Sequence, residues 1–178
     1  ILLYILLGAM QLGIMYLFSF RAYVYLSVSE FLLFTVLTPL YITLIYDLLS
    51  KRRLRWGYLL SAALAVIGAA IIRYDKVSDH FWTGLMFVQL ANLSFAIGMV
   101  GYKRLMETRP MPQHNAFAWF YMGAAIVAVA AWFMLGNPQK LPTTTLQWGV
   151  LVWLGVVASG LGYFMWNYGA TQVDAGTL

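Results

Sequence analysis

The chain consists of apolar runs, each long enough to cross a bilayer, separated by short connectors that carry most of the charge. Only 10% of its 178 residues are charged and 62% are hydrophobic, whereas soluble domains carry about 25% charged residues. About 20 apolar residues span the hydrocarbon core as a helix. Because backbone polar groups in lipid must be hydrogen-bonded internally, helices are the structure expected of such runs. We therefore predict an all-α integral membrane protein.

Six runs reach this length, and we predict one helix for each. They are Ile1–Leu26, Phe31–Leu49, Trp56–Ile72, Phe81–Tyr102, Ala116–Leu135 and Leu146–Ala170. Pro39 lies inside the second span. Neighbouring helices can satisfy the carbonyl group that a proline leaves without a partner, so we expect a kink there and not the end of the helix.

The connectors alternate in charge. Residues 51–55 hold four cations, and residues 103–109 have a net charge of +2. The connector before Phe31 holds only Glu30, the connector before Phe81 sums to zero, and the connector before Leu146 holds only Lys140. Lys and Arg accumulate on the cytoplasmic side of membranes. We therefore predict a multi-pass topology with the two basic connectors in the cytoplasm, and this pattern explains the net charge of +5 without a nucleic-acid partner.

One pattern occurs twice. Gly-x4-Gly-x2-Tyr stands at residues 8–16 and again at residues 155–163, an offset of 147 residues. Since the predicted topology runs these two spans in opposite directions, we predict an inverted repeat of five helices, as in many secondary transporters. Residues 1–76 would be the last three helices of one repeat and residues 77–178 the first three of the next. The chain is then a fragment covering about helices 3–8 of a ten-helix bundle of roughly 290 residues.

The sequence contains no motif that indicates an enzyme. The chain has no cysteine and no glycine-rich phosphate loop. His80 and His114 fall on opposite sides of the membrane in the predicted topology, so they cannot share a metal ion. We predict neither an enzyme nor a cofactor nor a metal site.

Charged residues at membrane depth are expensive, and most face cavities or partners. Arg21 lies near the outer end of the first span and could bind a substrate carboxylate through two parallel hydrogen bonds. The alternatives are an internal pair with Glu30 or a side chain that reaches the interface. Asp47 ends the second span, where it is either a partner for Lys51 or Arg52 or a coupling carboxylate.

Two polar groups complete the candidate substrate-binding residues. Gln89 and Asn92 share one face of the fourth span and suit hydrogen bonding to an amide-like or ureido group. The alternative is hydrogen bonding between helices. Tyr163, Trp166 and Asn167 form a patch on the sixth span that could wall a flat ring, or simply pack.

The repeated pattern, the inverted repeat and Thr38-Pro39-Leu40 in the second span resemble the drug/metabolite transporter superfamily, in its EamA-type branch. The resemblance implies a ten-helix secondary transporter. That family usually has Gly-Glu after the proline-containing helix, where this chain has Ser50-Lys51. No role is therefore carried over from the family's glutamate.

Longer stretches, at residues 41–47, 50–58, 101–121 and 162–176, resemble the biotin transporters of enteric bacteria. This resemblance implies uptake of biotin across the bacterial inner membrane, with the lipid bilayer and a small-molecule substrate as partners. The sequence leaves open whether the protein forms a homodimer. Export of amino acids or other small metabolites is the alternative function, and a membrane scaffold without transport activity is a third.

Overall fold

The computed structural model describes residues 1–49, 56–57, 60, 63–64, 67–68 and 80–173. Within these ranges, five helices are long and apolar enough to cross a membrane. They are α1 (Leu2–Ala22), α2 (Val28–Leu49), α3 (Phe81–Thr108), α4 (Gln113–Leu135) and α5 (Thr145–Ala170). The all-α prediction is confirmed for five of the six spans. Most of the predicted span Trp56–Ile72, and the basic connector at residues 51–55, lie outside the described residues.

Helix α3 continues past its predicted end at Tyr102 as far as Thr108. In this extension the carboxylate of Glu107 pairs with Lys103 at 3.5 Å and with Arg104 at 3.1 Å. Opposite charges three and four residues apart stabilise a helix. Lys103 and Arg104, which were predicted to lie in a connector, are therefore in the last turns of a helix, and Arg109 follows its end.

Helix α2 is kinked, as predicted. It consists of two α-helical pieces, Val28–Thr35 and Thr38–Leu49, and the break between them immediately precedes Thr38 and Pro39. The side-chain amide of Asn92 on α3 donates a hydrogen bond of 2.9 Å to the carbonyl oxygen of Phe34, five residues before the proline, and this oxygen also accepts from the Leu37 N–H at 3.4 Å. A neighbouring helix thus supplies a donor to the distorted backbone, which is how membrane helices tolerate proline.

Helices α1 and α4 approach each other backbone to backbone. A Cβ atom built on Gly8 would overlap the carbonyl oxygen of Phe120, and one built on Gly123 would overlap the carbonyl oxygen of Ile5. Small residues permit this close approach in lipid, where van der Waals packing holds helices together. The fully buried ring of Tyr102 packs beside this contact, 5.5 Å from the ring of Phe120.

Helices α1 and α5 carry the same distortion. A π-helical segment occupies Ala9–Ile14 in α1, which returns to α-helix at Met15. Another occupies Leu154–Leu161 in α5, which returns to α-helix at Gly162. The two returns are 147 residues apart, which is the offset of the repeated sequence pattern. Each copy of the pattern therefore coincides with a π-helical segment, a feature common at functional sites.

Contacts at the helix ends establish the relative directions. The ammonium group of Lys103, near the end of α3, donates to the carbonyl oxygens of Ala170 at 2.8 Å and Val173 at 2.6 Å, just at and beyond the end of α5. The ring of Tyr25, which follows α1, lies 6.0 Å from the ring of His80, which precedes α3. Helices α3 and α5 therefore run in the same direction and α1 runs opposite to both.

Candidate functional site

A buried pair of side-chain amides lies where α1 crosses α5. The Nε2 atom of Gln11 donates a hydrogen bond of 3.0 Å to the Oδ1 atom of Asn167, and both residues are 0% exposed. Helix α3 meets the pair with a glycine, because a Cβ on Gly98 would lie 2.7 Å from the Cα atom of Gln11. We call Gln11 and Asn167 the amide couple. Three helices enclose it.

Each member of the amide couple retains one polar atom without a hydrogen-bond partner among the described residues. These atoms are Oε1 of Gln11 and Nδ2 of Asn167. An unsatisfied buried donor or acceptor costs about 1–3 kcal/mol, and the hydrocarbon core offers no water to compensate. The couple therefore presents one free acceptor and one free donor in an interior that strongly favours their pairing.

Tyrosines surround the next stretch of the α1–α5 contact. The hydroxyl groups of Tyr16 and Ser159 are 2.9 Å apart, and the rings of Tyr16 and Tyr163 meet edge to face at 6.2 Å. From α4, the hydroxyl of Tyr121 donates to the carbonyl oxygens of Ser159 and Gly160 at 2.6 and 2.5 Å. These carbonyls belong to the π-helical segment of α5. The two tyrosines of the repeated pattern thus touch each other inside a hydrogen-bonded cluster.

The polarity of the crossing is asymmetric. Shifting Gln11 by the repeat offset leads to Ala158, and shifting Asn167 back leads to Phe20, neither of which has a polar side chain. The amide couple therefore has no polar counterpart at the positions that the repeat makes equivalent. The couple lies on one side of the contact between Tyr16 and Tyr163, toward the end of α5 that Lys103 binds.

The predicted patch on α5 is only partly assembled. Tyr163 and Asn167 both face α1, in the contacts described above. Trp166 instead approaches α3, where its indole N–H donates to the Sδ atom of Met99 at 3.3 Å, and 48% of Trp166 remains exposed. The structure brings two of the three residues to one site and places the third at its edge.

Gln89 and Asn92 face α2, away from the amide couple. The hydroxyl of Tyr41 donates to the Oε1 atom of Gln89 at 3.0 Å, while the Asn92 amide donates at the α2 kink. Asn92 thus makes the inter-helix bond that was its alternative role. The Nε2 atom of Gln89 has no partner among the described residues. Gln89 is nine residues from Gly98, about 13 Å along the helix axis, so a substrate contact here remains a separate prediction.

Arg21 is exposed in the last turn of α1, about 15 Å along the helix from Gln11. The structure does not bring it to the amide couple, and its binding of a carboxylate remains a prediction. The carboxylate of Glu30 accepts hydrogen bonds from the N–H of Ser27 at 2.7 Å and from its hydroxyl at 2.6 Å, which caps α2. Asp47 is buried, and its predicted partners at positions 51–52 lie outside the described residues.

Sequence reasoning missed Gln11, Tyr121 and the role of Lys103. Gln11 is an amide inside an apolar span, so the rule that polar residues at membrane depth mark functional sites could have found it, as it found Gln89. Tyr121 gives no such signal, because tyrosine is also common in packed aromatic clusters. Lys103 counted as a connector charge, and only the structure shows it buried against the end of α5.

Comparison with known proteins decides the family. The profile of the EamA-like transporter family matches residues 82–178, more than half of the chain. The chain belongs to this family. The predicted resemblance to the EamA-type branch is confirmed.

Relatives of this EamA-like chain include the biotin transporters of Escherichia coli K12, 82% identical, and of Salmonella typhimurium, 80% identical, each over 176 residues. These alignments cover 99% of this chain and 59% of each relative. The probable biotin transporter of Pseudomonas aeruginosa is 51% identical over 175 residues, covering 97% of this chain and 61% of the relative. The chain therefore spans about 59% of the length of its enteric relatives. No solved structure matches it.

Proposed function

We propose that the full-length protein of which this chain is a part is a secondary transporter that takes up biotin across the bacterial inner membrane. The observation that carries the proposal is the 82% identity, over 99% of the chain, to a protein named a biotin transporter. At such identity the side chains that line a transport path are expected to be largely shared. Buried amides with free hydrogen-bonding atoms at a helix crossing support a polar small-molecule substrate.

We also propose that the chain is helices 3–8 of a ten-helix inverted repeat, divided into residues 1–76 and 77–178. Three observations support this. The π-helical segments end at positions offset by 147 residues. The equivalent residues Tyr16 and Tyr163 touch, as residues beside a pseudo-two-fold axis do. Six helices of ten would also account for the 59% of the relatives that the chain spans.

The chemistry of biotin suits the polar groups of the chain. Biotin has a carboxylate, a ureido ring with N–H and C=O groups, and an apolar thioether ring. A guanidinium group suits the carboxylate, amides suit the ureido ring, and aromatic faces suit the thioether ring. The residues proposed for these contacts are Arg21, Gln89, Asn92, Tyr163, Trp166 and Asn167.

Uptake of labelled biotin tests the function. Cells that lack other biotin carriers are compared with and without the full-length gene. We expect saturable uptake that unlabelled biotin competes away. Equal uptake in both strains would refute the proposal, and equal uptake combined with raised tolerance to a toxic amino-acid analogue would favour export of amino acids.

A further inference from the structure

We infer that the amide couple, Gln11 and Asn167, is the subsite for an N–H and C=O edge of the substrate, such as one side of a cyclic urea. The inference deepens the proposed transport function and rests on it. The free Oε1 atom of Gln11 would accept from the substrate N–H. The free Nδ2 atom of Asn167 would donate to the substrate C=O.

The donor and acceptor pattern is independent of how the amides are oriented. In the described orientation, the free atoms are one amide oxygen and one amide NH2 nitrogen. Exchanging oxygen and nitrogen in both amides reverses the internal hydrogen bond and again leaves one free amide oxygen and one free NH2 nitrogen. A ligand edge with one donor and one acceptor matches either arrangement. A carboxylate matches neither, because it offers only acceptors and one of them would face an amide oxygen.

Helix packing alone does not account for the couple. The couple has no polar counterpart at the repeat-equivalent positions, Ala158 and Phe20, and both of these residues are exposed. The couple makes one hydrogen bond and leaves two polar atoms unsatisfied. Two apolar side chains of similar size would avoid that cost. A ligand that pairs with both free atoms removes the cost.

The surroundings of the couple suit a site that opens. Gln11 lies within the π-helical segment Ala9–Ile14, and π-helical turns are frequent where helices must adapt at functional sites. Gly98 offers no side chain against Gln11, so the backbone of α3 lies directly against α1 at this point. In this structure both residues are fully buried. The couple therefore becomes accessible when the crossing of α1 and α5 loosens, as alternating access at a repeat interface requires.

The test compares the binding of two compounds, biotin and lipoic acid, to the purified full-length protein. Biotin has the ureido ring and a carboxylate. Lipoic acid has a carboxylate and a sulfur-containing ring but no ureido group. In the double variant Gln11→Met with Asn167→Leu, both amides become apolar residues of similar size. We expect biotin binding to weaken by about 10- to 100-fold, the effect of losing two buried hydrogen bonds, while lipoic acid binding changes less than threefold.

Two controls separate this result from misfolding. Ser94→Ala removes another buried polar group, whose hydroxyl, among the described residues, bonds within α3 to the Leu90 carbonyl at 2.7 Å, and should leave the binding of both compounds unchanged. The double variant should keep a monodisperse elution profile and its melting temperature, because unsatisfied polar atoms have been removed. If it does not fold, the isosteric Asn167→Asp, which replaces the free donor, should show the same selective loss for biotin.

The outcomes distinguish the inference from the proposed function. A folded double variant that discriminates biotin from lipoic acid as well as the wild type does would overturn the inference. A wild type that binds no biotin would overturn the proposed function instead. Imidazolidin-2-one, the bare cyclic urea, then decides the inference. Thermal stabilisation of the wild type but not of the double variant supports the amide couple, and equal stabilisation or none in both refutes it.

Discussion

Replacing Gly8 with alanine tests the close contact between α1 and α4. The added Cβ would overlap the carbonyl oxygen of Phe120 and lie 2.9 Å from its Cα atom. Carbon atoms in ordinary contact are about 3.5–4.0 Å apart, so the helices must separate by at least about 1 Å. A gap of 0.5–1 Å forfeits about a quarter to a half of each dispersion contact. Overpacking of this kind costs about 1–3 kcal/mol, which we expect as the loss in unfolding free energy.

The partner glycine makes the prediction sharper. A Cβ on Gly123 would overlap the Ile5 carbonyl oxygen in the same contact, so Gly123→Ala forces the same separation of helices. Once the helices have moved apart for one alanine, the second costs less. The double variant should therefore lose at least about 0.5 kcal/mol less than the sum of the single losses, as expected for residues that share a contact.

Unfolding of the full-length protein in SDS, followed by tryptophan fluorescence, measures these free energies. Gly149→Ala is the matched control, because no described atom lies within 4 Å of the Cβ that it would add. It should be neutral or stabilising by up to about 1 kcal/mol, since alanine favours the helix. Wild-type stability in Gly8→Ala, or strictly additive losses in the double variant, would refute the backbone contact between α1 and α4.

Three further predictions concern helix ends, the kink and topology. Lys103→Met should lower the unfolding free energy by about 2–4 kcal/mol, because it removes two charge-assisted bonds, one to the carbonyl of the buried Ala170 and one to that of the more exposed Val173. Arg104→Met, on the more exposed neighbour, should cost under about 1 kcal/mol, and equal losses would contradict the capping role of Lys103. Asn92→Leu should cost about 0.5–1.5 kcal/mol in the same assay, because it removes one hydrogen bond and leaves the Phe34 carbonyl only the longer bond from the Leu37 N–H at 3.4 Å, and an unchanged stability would show that the kink needs no donor from α3. Single cysteines should be labelled by an impermeant reagent in intact cells at position 140 but at position 109 only after permeabilisation, and the reverse pattern would invert the predicted topology.

Much of the helical architecture is predictable because lipid imposes it. Apolar runs of sufficient length predicted α1 to α5, since a single continuous segment satisfies its own backbone in lipid as a helix. The kink at Pro39 was predictable because proline lacks the N–H that the helix needs. The end of α3 was not, because the charges at Lys103 and Glu107 looked like a connector. Their mutual pairing and the burial of Lys103 extend the helix instead.

The candidate site was likewise predictable from the sequence only in part. The sequence indicated polar residues at membrane depth, among them Asn167 and Tyr163, because a charge or an amide among apolar residues is conspicuous in one dimension. It also indicated the repeat offset that the two π-helical segments share. What it left open was partnership. The pairing of Gln11 with Asn167 depends on how helices far apart in the chain cross. So does the hydrogen bond that Asn92 donates to α2. Side-chain direction and helix rotation decide those pairs, and only packing in three dimensions sets both.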